Sequence, residues 1–153
     1  MDKKDLQILS ILQKNGATPL AELAKAVHLS STPCWRRVQK LNDEGVIRGQ
    51  VVLCDAAKLN VAVTVFVSIR TSQHSDAWMK KFTQATRDIP EIVEIYRLSG
   101  DIDYLLKIVV PDIAGYDAVY KRLIKAVDLQ DVSSSFAMEV LKSTTALPLD
   151  YVN

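Results

Sequence analysis

The chain has 153 residues, of which 48% are hydrophobic and 24% are charged, and its formal net charge is +1. This composition is ordinary for a globular protein and excludes long disordered stretches. No run approaches the roughly 20 apolar residues of a membrane span. The two cysteines imply no disulfide framework, so a protein of the reducing cytoplasm, without a membrane partner, is expected.

The charge is distributed unevenly along the chain. Before Asp55 there are eight basic against five acidic residues (+3), and from Asp55 onward there are eleven against thirteen (−2). A basic N-terminal part followed by an acidic part favours a nucleic-acid-binding unit joined to a partner domain.

The N-terminal part predicts three helices. Apolar residues recur at helical spacing in residues 6–12 and again in residues 20–27. A short break at residues 28–30 precedes a third helix, with Thr32 as its N-cap and Pro33 at its first helical position. Two short helices around a tight break are typical of a helix-turn-helix.

Domain boundaries follow from the change of pattern after the third helix, which should end near Asp43 and Glu44, before Gly45. Residues 46–53 are β-branched and apolar and predict a strand or small wing. We therefore expect a winged helix-turn-helix domain in residues 1–54, a linker in 55–60 and a second domain in 61–153.

The second domain changes from helical to alternating periodicity and back, in the order β-α-β-β-α-β. That order predicts a ferredoxin-like sandwich, and with the first domain an α+β protein. The predicted elements are a strand at 61–69, a helix carrying Trp78, Phe82 and Ala85, strands at 92–98 and 104–110, a helix capped by Asp112, and a strand at 132–140.

The third helix has an inner and an outer face. Cys34, Val38 and Leu41 share one side and should face a small core, which leaves the thiol of Cys34 inert. Arg36 is the first candidate for a guanine edge and Gln39 the second, since Arg can bond guanine bidentately. The predicted DNA contacts are Ser30, Ser31, Thr32, Pro33, Trp35, Arg36, Arg37, Gln39, Lys40 and Arg48.

Several of these contacts are expected to be with phosphates. The hydroxyls of residues 30–32 and the free amides of the first turn suit backbone phosphates, as do Arg37, Lys40 and Arg48. A competing interpretation remains, because the same geometry occurs in helical bundles that never meet DNA, and two adjacent arginines are often a solvated face.

Three segments resemble the leucine-responsive/asparagine regulator (Lrp/AsnC) family, and the resemblance extends over essentially the whole chain. They are "AELAKAVHLSSTPCWRRVQKLNDEGVIRG", "LSGDIDYLLKIVVPD" and "SSFAMEVLKSTTALPL". The resemblance implies a transcription regulator that binds promoter DNA, a ferredoxin-like domain that dimerises and can assemble into octamers, and an amino-acid effector bound between C-terminal domains.

With that resemblance, the turn at residues 99–104 becomes the candidate effector site. Asp101 or Asp103 can accept from an ammonium group, and amides around Gly100 can donate to a carboxylate, because glycine allows close approach. The alternative is a plain hairpin turn. The predicted effector contacts are Ser99, Gly100, Asp101, Ile102, Asp103, Tyr104, Ser133, Ser134 and Ser135.

Other chemistry is not indicated. Neither His28 nor His74 has a cysteine or acid at ligand spacing, so no metal site is expected. We find no nucleophile–base pair and no cofactor loop in the sequence, and therefore expect neither an enzyme nor a cofactor. The alternative function is a C-terminal domain that senses a small molecule or scaffolds an assembly, with only weak, nonspecific DNA contact.

Overall fold

The computed structural model describes residues 1–73 and 75–152, and His74 and Asn153 lie outside the described residues. The described residues form two compact units, one of residues 1–53 with 142–152 and the other within residues 54–141. The helices are α1 Lys3–Leu12, α2 Leu20–Ala26, α3 Ser31–Asp43, α4 Asp76–Arg87 and α5 Ile113–Ala126. The strands are β1 Val63–Arg70, β2 Ile92–Arg97, β3 Tyr104–Val110 and β4 Asp131–Phe136.

The first unit is built on α1, α2 and α3. Asp2 and Asp5 form a capping box at the start of α1, where each carboxylate accepts a backbone N–H of the other residue. A small core lies between the three helices because each presents one apolar stripe. Its buried members are Ile8, Leu9, Leu23, Ala24, Val27, Cys34 and Leu41.

The start of α3 differs from the prediction. The N-cap is Ser30 rather than Thr32, because Ser30 has extended backbone angles and its carbonyl already accepts from the Cys34 N–H. Pro33 is therefore the third helical residue, where its missing N–H still lacks an intrahelical acceptor. The predicted end is confirmed, since α3 closes at Asp43 and Gly45 adopts a φ of +71°.

Residues 46–53, which were predicted as a strand or small wing, form no strand in this structure. None of these described residues lies in a strand, and Val51, Val52 and Leu53 are largely exposed. A β-branched sequence forms a strand only where its backbone groups find a partner strand. Ile47 does pack against the helical core.

Residues 142–152 belong to the first unit, whereas the prediction assigned them to the second domain. The side-chain amide of Gln13 accepts from the Leu147 N–H at 2.7 Å and donates to the Leu147 carbonyl at 3.1 Å. Leu149 packs against the helical core. The first unit is thus completed by residues distant in sequence.

The second unit is a four-stranded antiparallel sheet in the order β2-β3-β1-β4, with α4 and α5 on one face. Alternate residues of β1, namely Val65, Val67 and Ile69, are buried against the helices. Asp112 caps α5 by accepting from the Gly115 N–H. The predicted ferredoxin-like order and the Asp112 cap are confirmed.

Strand β4 ends at Phe136, not at residue 140 as predicted. In the β1–β4 register Val65 lies opposite Phe136, so Val140 would need Val61 as its partner. The Val61 N–H instead bonds the Ala56 carbonyl in a turn that includes Asn60 at a φ of +57°. Strand β1 therefore does not extend far enough to pair with Val140, which stays exposed.

Candidate DNA-binding helix and effector turn

Helix α3 has the two faces that its sequence predicts. Cys34 and Leu41 are fully buried and Val38 packs against the same core, so the inner stripe is confirmed. Burial raises the pKa of the Cys34 thiol, which favours its unreactive protonated form. Gln39 is half-buried. The exposed predicted contacts in and just before α3 are Ser30, Ser31, Thr32, Pro33, Trp35, Arg36 and Lys40.

The outer face carries positive charge that the protein leaves accessible. Arg36 is exposed and has no ion-pair partner among the described residues. Lys40 approaches Glu44 at 3.8 Å, with both side chains mainly in solvent, so this pair is weak. Pro33, Arg36 and Lys40 line an open groove of about 570 Å³, whose other lining residues are Met1, Asp2, Asp5 and Arg37. Arg48 is also exposed, beyond the helix.

Arg37 points elsewhere. Its guanidinium donates to Asp2 Oδ2 and to Asp5 Oδ1, both at 2.7 Å, and the Asp5 side chain is only 6% exposed. These two hydrogen bonds raise the pKa of Arg37 above its ordinary value, and the bond to Asp5 has the larger effect. The structure therefore ties Arg37 to the start of α1 at one side of the groove, whereas Arg36 in the same groove has no such tie.

The turn between α2 and α3 is also fixed by polar contacts. His28 adopts a left-handed φ of +54°, and the Leu29 N–H bonds the Ala24 carbonyl. Lys4 of α1 donates from Nζ to the Val27 carbonyl at 2.5 Å. The first turn of α1 thus contacts both helices of the helix-turn-helix, which the sequence pattern did not reveal because the partners lie far apart in the chain.

In the second unit, the candidate effector turn joins β2 to β3. Ser99, Gly100 and Asp101 are exposed, and Gly100 has a φ of +136°, which other residues rarely adopt. Asp103 is committed to the loop, since its Oδ2 accepts from the Thr71 N–H at 2.8 Å. Asp101 is therefore the more accessible carboxylate.

Tyr104 and Ile102 are less available. Tyr104 is 3% exposed, lies against Trp78 and Phe82, and directs its hydroxyl toward the Met79 sulfur. Ile102 is half-buried. Both therefore fit a supporting position behind the turn better than direct contact with a ligand.

The three predicted serines of β4 do not share one surface. Ser134 lies opposite Val67, on the helix-covered side, and its hydroxyl bonds the Tyr116 hydroxyl. Ser133 and Ser135 lie opposite Ser68 and Phe66, on the other side of the sheet. None of the three contacts the turn through a hydrogen bond among the described residues.

A polar hollow that the sequence pattern did not predict lies at the same end of the sheet as the turn. Its volume is about 230 Å³, and it is lined by Thr71, Ser72, Gln73, Asp128, Leu129 and Gln130. The Thr71–Asp103 hydrogen bond connects this hollow to the turn. Its residues follow β1 and precede β4, so only the strand register reveals that they meet.

The face of the sheet opposite α4 and α5 is open. Phe66, Leu105 and Val109 are partly exposed there, beside the ion pair of Lys107 with Glu94 at 2.9 Å. Tyr96 donates to Glu94 at 2.6 Å on the same face. One face of this sheet is therefore mixed apolar and charged, and no element of the described chain covers it.

Within residues 1–73 and 75–152, no group of three or more His, Cys, Asp or Glu side chains is arranged to hold a metal ion. Among the same residues, no helix has the length and apolar character needed to cross a membrane.

The chain matches two family models. Residues 1–48 match the winged helix-turn-helix DNA-binding model, and residues 64–147 match the Lrp/AsnC ligand binding domain. Among curated relatives, the glutamate uptake regulatory protein of Zymomonas mobilis is 46% identical over 149 residues, covering 97% of this chain and 91% of the relative.

Solved structures agree with these matches. An AsnC family transcriptional regulator from Agrobacterium tumefaciens is 57% identical, with a TM-score of 0.96 and full coverage of both chains. A transcriptional regulator of Neisseria meningitidis, solved as its L-Met complex, is 32% identical, with a TM-score of 0.93 and coverage of 98% of this chain and 97% of that one. The chain belongs to the Lrp/AsnC family of transcription regulators.

Proposed function

We propose that this protein is an amino-acid-responsive regulator that binds specific promoter DNA by inserting α3 into the major groove. The observation that carries the proposal is the outer face of α3, where Arg36 is exposed and without an ion pair in the described part of the chain. Such a helix, anchored by a buried inner stripe, matches the docking requirement of a recognition helix. Promoter DNA lies in the bacterial cytoplasm, which is the location we propose.

Arg36 is the proposed base-reading residue and Gln39 its secondary partner. Lys40, Arg48 and the hydroxyls of residues 30–32 are the proposed phosphate contacts, and exposed Trp35 lies beside them. Base contacts determine sequence preference, whereas phosphate contacts determine orientation and salt dependence.

The test is a selection of random duplexes with the purified protein, followed by affinity measurements on the selected duplex. Arg36→Ala should lose about 1–3 kcal/mol of discrimination between the selected and a shuffled duplex. Lys81→Ala, an exposed lysine of α4, is the matched control and should behave as wild type. Unchanged sequence preference in Arg36→Ala would remove Arg36 from the reading position.

The proposed effector is a free amino acid at the turn of residues 99–104. Support comes from the accessible Asp101 carboxylate for an ammonium group, the open backbone at Gly100 for a carboxylate, and the similarity to a regulator crystallised with L-Met. A bound effector changes DNA affinity only by as much as its own affinity differs between two states of the protein.

Calorimetric titration with the individual amino acids tests this part. Asp101→Asn should weaken binding of the preferred amino acid and leave DNA affinity without effector unchanged. Asp117→Asn, an exposed acid of α5, is the control. Equal affinities for wild type and Asp101→Asn would exclude Asp101 from the site.

We further propose that the open sheet face is the homodimer interface and that dimers can assemble into octamers. Partly exposed Phe66, Leu105 and Val109 supply apolar area, and a two-fold pair carries two α3 helices for half-sites about one helical turn, or a multiple of it, apart. Phe66→Glu should shift the protein toward monomer in analytical ultracentrifugation. A wild-type-like dimer in that variant would contradict this interface.

A further inference from the structure

We propose that the first turn of α1 acts as a clamp, formed by Asp2, Lys4 and Asp5, that sets how α3 is presented to DNA. Within it Arg37 is a positioning residue rather than a phosphate contact. This inference rests on the proposed role of α3 as the recognition helix. It concerns contacts that hold that helix and not those that read the bases.

A single nitrogen of Arg37 bridges two acids in the contact to α3. Arg37 Nη1 lies 2.7 Å from Asp2 Oδ2 and 2.7 Å from Asp5 Oδ1. Arg37 is the next residue after Arg36, so fixing its side chain limits rotation of α3 about its own axis. A rotation of that kind would move the Arg36 side chain relative to a base edge.

The contact to α2 comes from the same turn. Lys4 Nζ bonds the carbonyl of Val27 at 2.5 Å, at the end of α2. A cation is favourable at this position because the last carbonyls of a helix lack intrahelical partners. One turn of α1 therefore holds the end of α2 and the first half of α3, which are the two helices whose mutual angle defines a helix-turn-helix.

The burial of Asp5 explains why Arg37 should stay in the clamp when DNA docks. The Asp5 side chain is 6% exposed, and its ion pair is with Arg37. Moving the guanidinium to a phosphate would leave a buried carboxylate without its counter-charge, which is unfavourable. Among the described residues, the exposed Arg36 and Lys40 form no ion pair with a buried acid.

The first test asks whether a substitution strengthens or weakens DNA binding. Asp5→Asn removes a negative charge near the DNA-binding face, so electrostatics alone predicts tighter binding to DNA. The clamp predicts instead about tenfold weaker binding to the selected duplex, comparable to one badly read base pair, with affinity for a shuffled duplex unchanged. The control Asp43→Asn removes an exposed acid of α3 and should not weaken specific binding.

Arg37→Lys is the second variant and keeps the positive charge on a shorter side chain, which moves its nitrogen away from the point at which Nη1 bridges Asp2 and Asp5. The clamp predicts loss of sequence preference with an unchanged dependence of log K on log salt. If Arg37 instead contacts a phosphate, Arg37→Lys should keep the sequence preference of the wild type. Arg37→Gln should then lower the slope of log K against log salt by about 0.9. Circular dichroism at the assay temperature verifies that each variant is folded. If Asp5→Asn is unfolded, the test uses Arg37→Lys instead.

The outcomes separate the two proposals. Wild-type-like or tighter specific binding of Asp5→Asn, or a reduced salt slope in Arg37→Gln, would overturn the clamp while leaving α3 as the recognition helix. If the wild-type protein selects no duplex over a shuffled one, the recognition-helix assignment fails, and the clamp fails with it.

Discussion

The two compact units reach a stable core by different means. The second unit buries alternate residues of four strands against two helices, and its aromatic cluster stacks Trp78 on Phe82 at 5.1 Å between ring centroids. The first unit buries fewer apolar side chains and adds polar ties, namely the Arg37 ion pairs and the Gln13 bonds to Leu147. Apolar burial therefore dominates one unit, whereas the other also depends on specific contacts between distant residues.

The largest expected effect is in the aromatic cluster. Phe82→Ala should destabilise the second unit by about 3–5 kcal/mol, because the removed ring leaves a cavity between Trp78 and Tyr104. Urea unfolding followed by Trp78 fluorescence in a Trp35→Phe background reports on this unit. A loss below about 1 kcal/mol would mean that the cluster repacks and is not the rigid centre described above.

Next comes the helical core. Leu41→Ala should destabilise the first unit by about 2–5 kcal/mol, since Leu41 is 1% exposed and a methyl group replaces its side chain. Hydrogen exchange of amides in α1–α3 measures local opening of this unit. Slow exchange retained in α1–α3 would show that the small core is less important than its polar ties.

The tail contact should have a smaller effect. Leu149→Ala removes apolar area from a partly buried position and should cost about 1 kcal/mol, with faster exchange in α1. Leu147→Ala is the control, because Leu147 is 71% exposed and its bonds to Gln13 use the backbone. Equal destabilisation by the two changes would contradict a side-chain contribution specific to Leu149.

The smallest effect concerns pH. The Asp5 N–H, and after it Arg37, hold the pKa of Asp2 below its ordinary value of 3.8. A lowered folded pKa stabilises the first unit above the unfolded value, and this stabilisation is lost as pH falls through the folded value. Asp2→Asn retains a good N-cap, so its stability difference from wild type should shrink between about pH 7 and pH 3. A stability difference that does not change with pH would show that the charge of Asp2 does not stabilise the first unit.

Features determined by local sequence were predicted well. The alternation in β1 and the Asp112 cap depend on neighbouring residues, and both are present. The inner stripe of α3 is equally local, because Cys34 and Leu41 repeat at helical spacing. These patterns gave the order of elements and the ferredoxin-like sheet.

Features that depend on distant partners were missed or misplaced. The apolar run at residues 46–53 lacks a partner strand, and β4 ends where β1 ends. Arg37 was predicted as a phosphate contact, and its bond to Asp5 was missed because Asp5 lies 32 positions away. The assignments of Arg36 to a base and of Asp101 to an effector remain predictions until the experiments above are made.

The return of residues 142–152 to the first unit also affects how the protein is made and handled. The ribosome synthesises the whole second unit before these residues, so the helical unit lacks Leu149 until the second unit has been made. A fragment limited to residues 1–53 would leave the Gln13 amide and part of the helical core to solvent. Expression of the DNA-binding unit alone therefore calls for a circularly permuted or linked chain that carries residues 142–152.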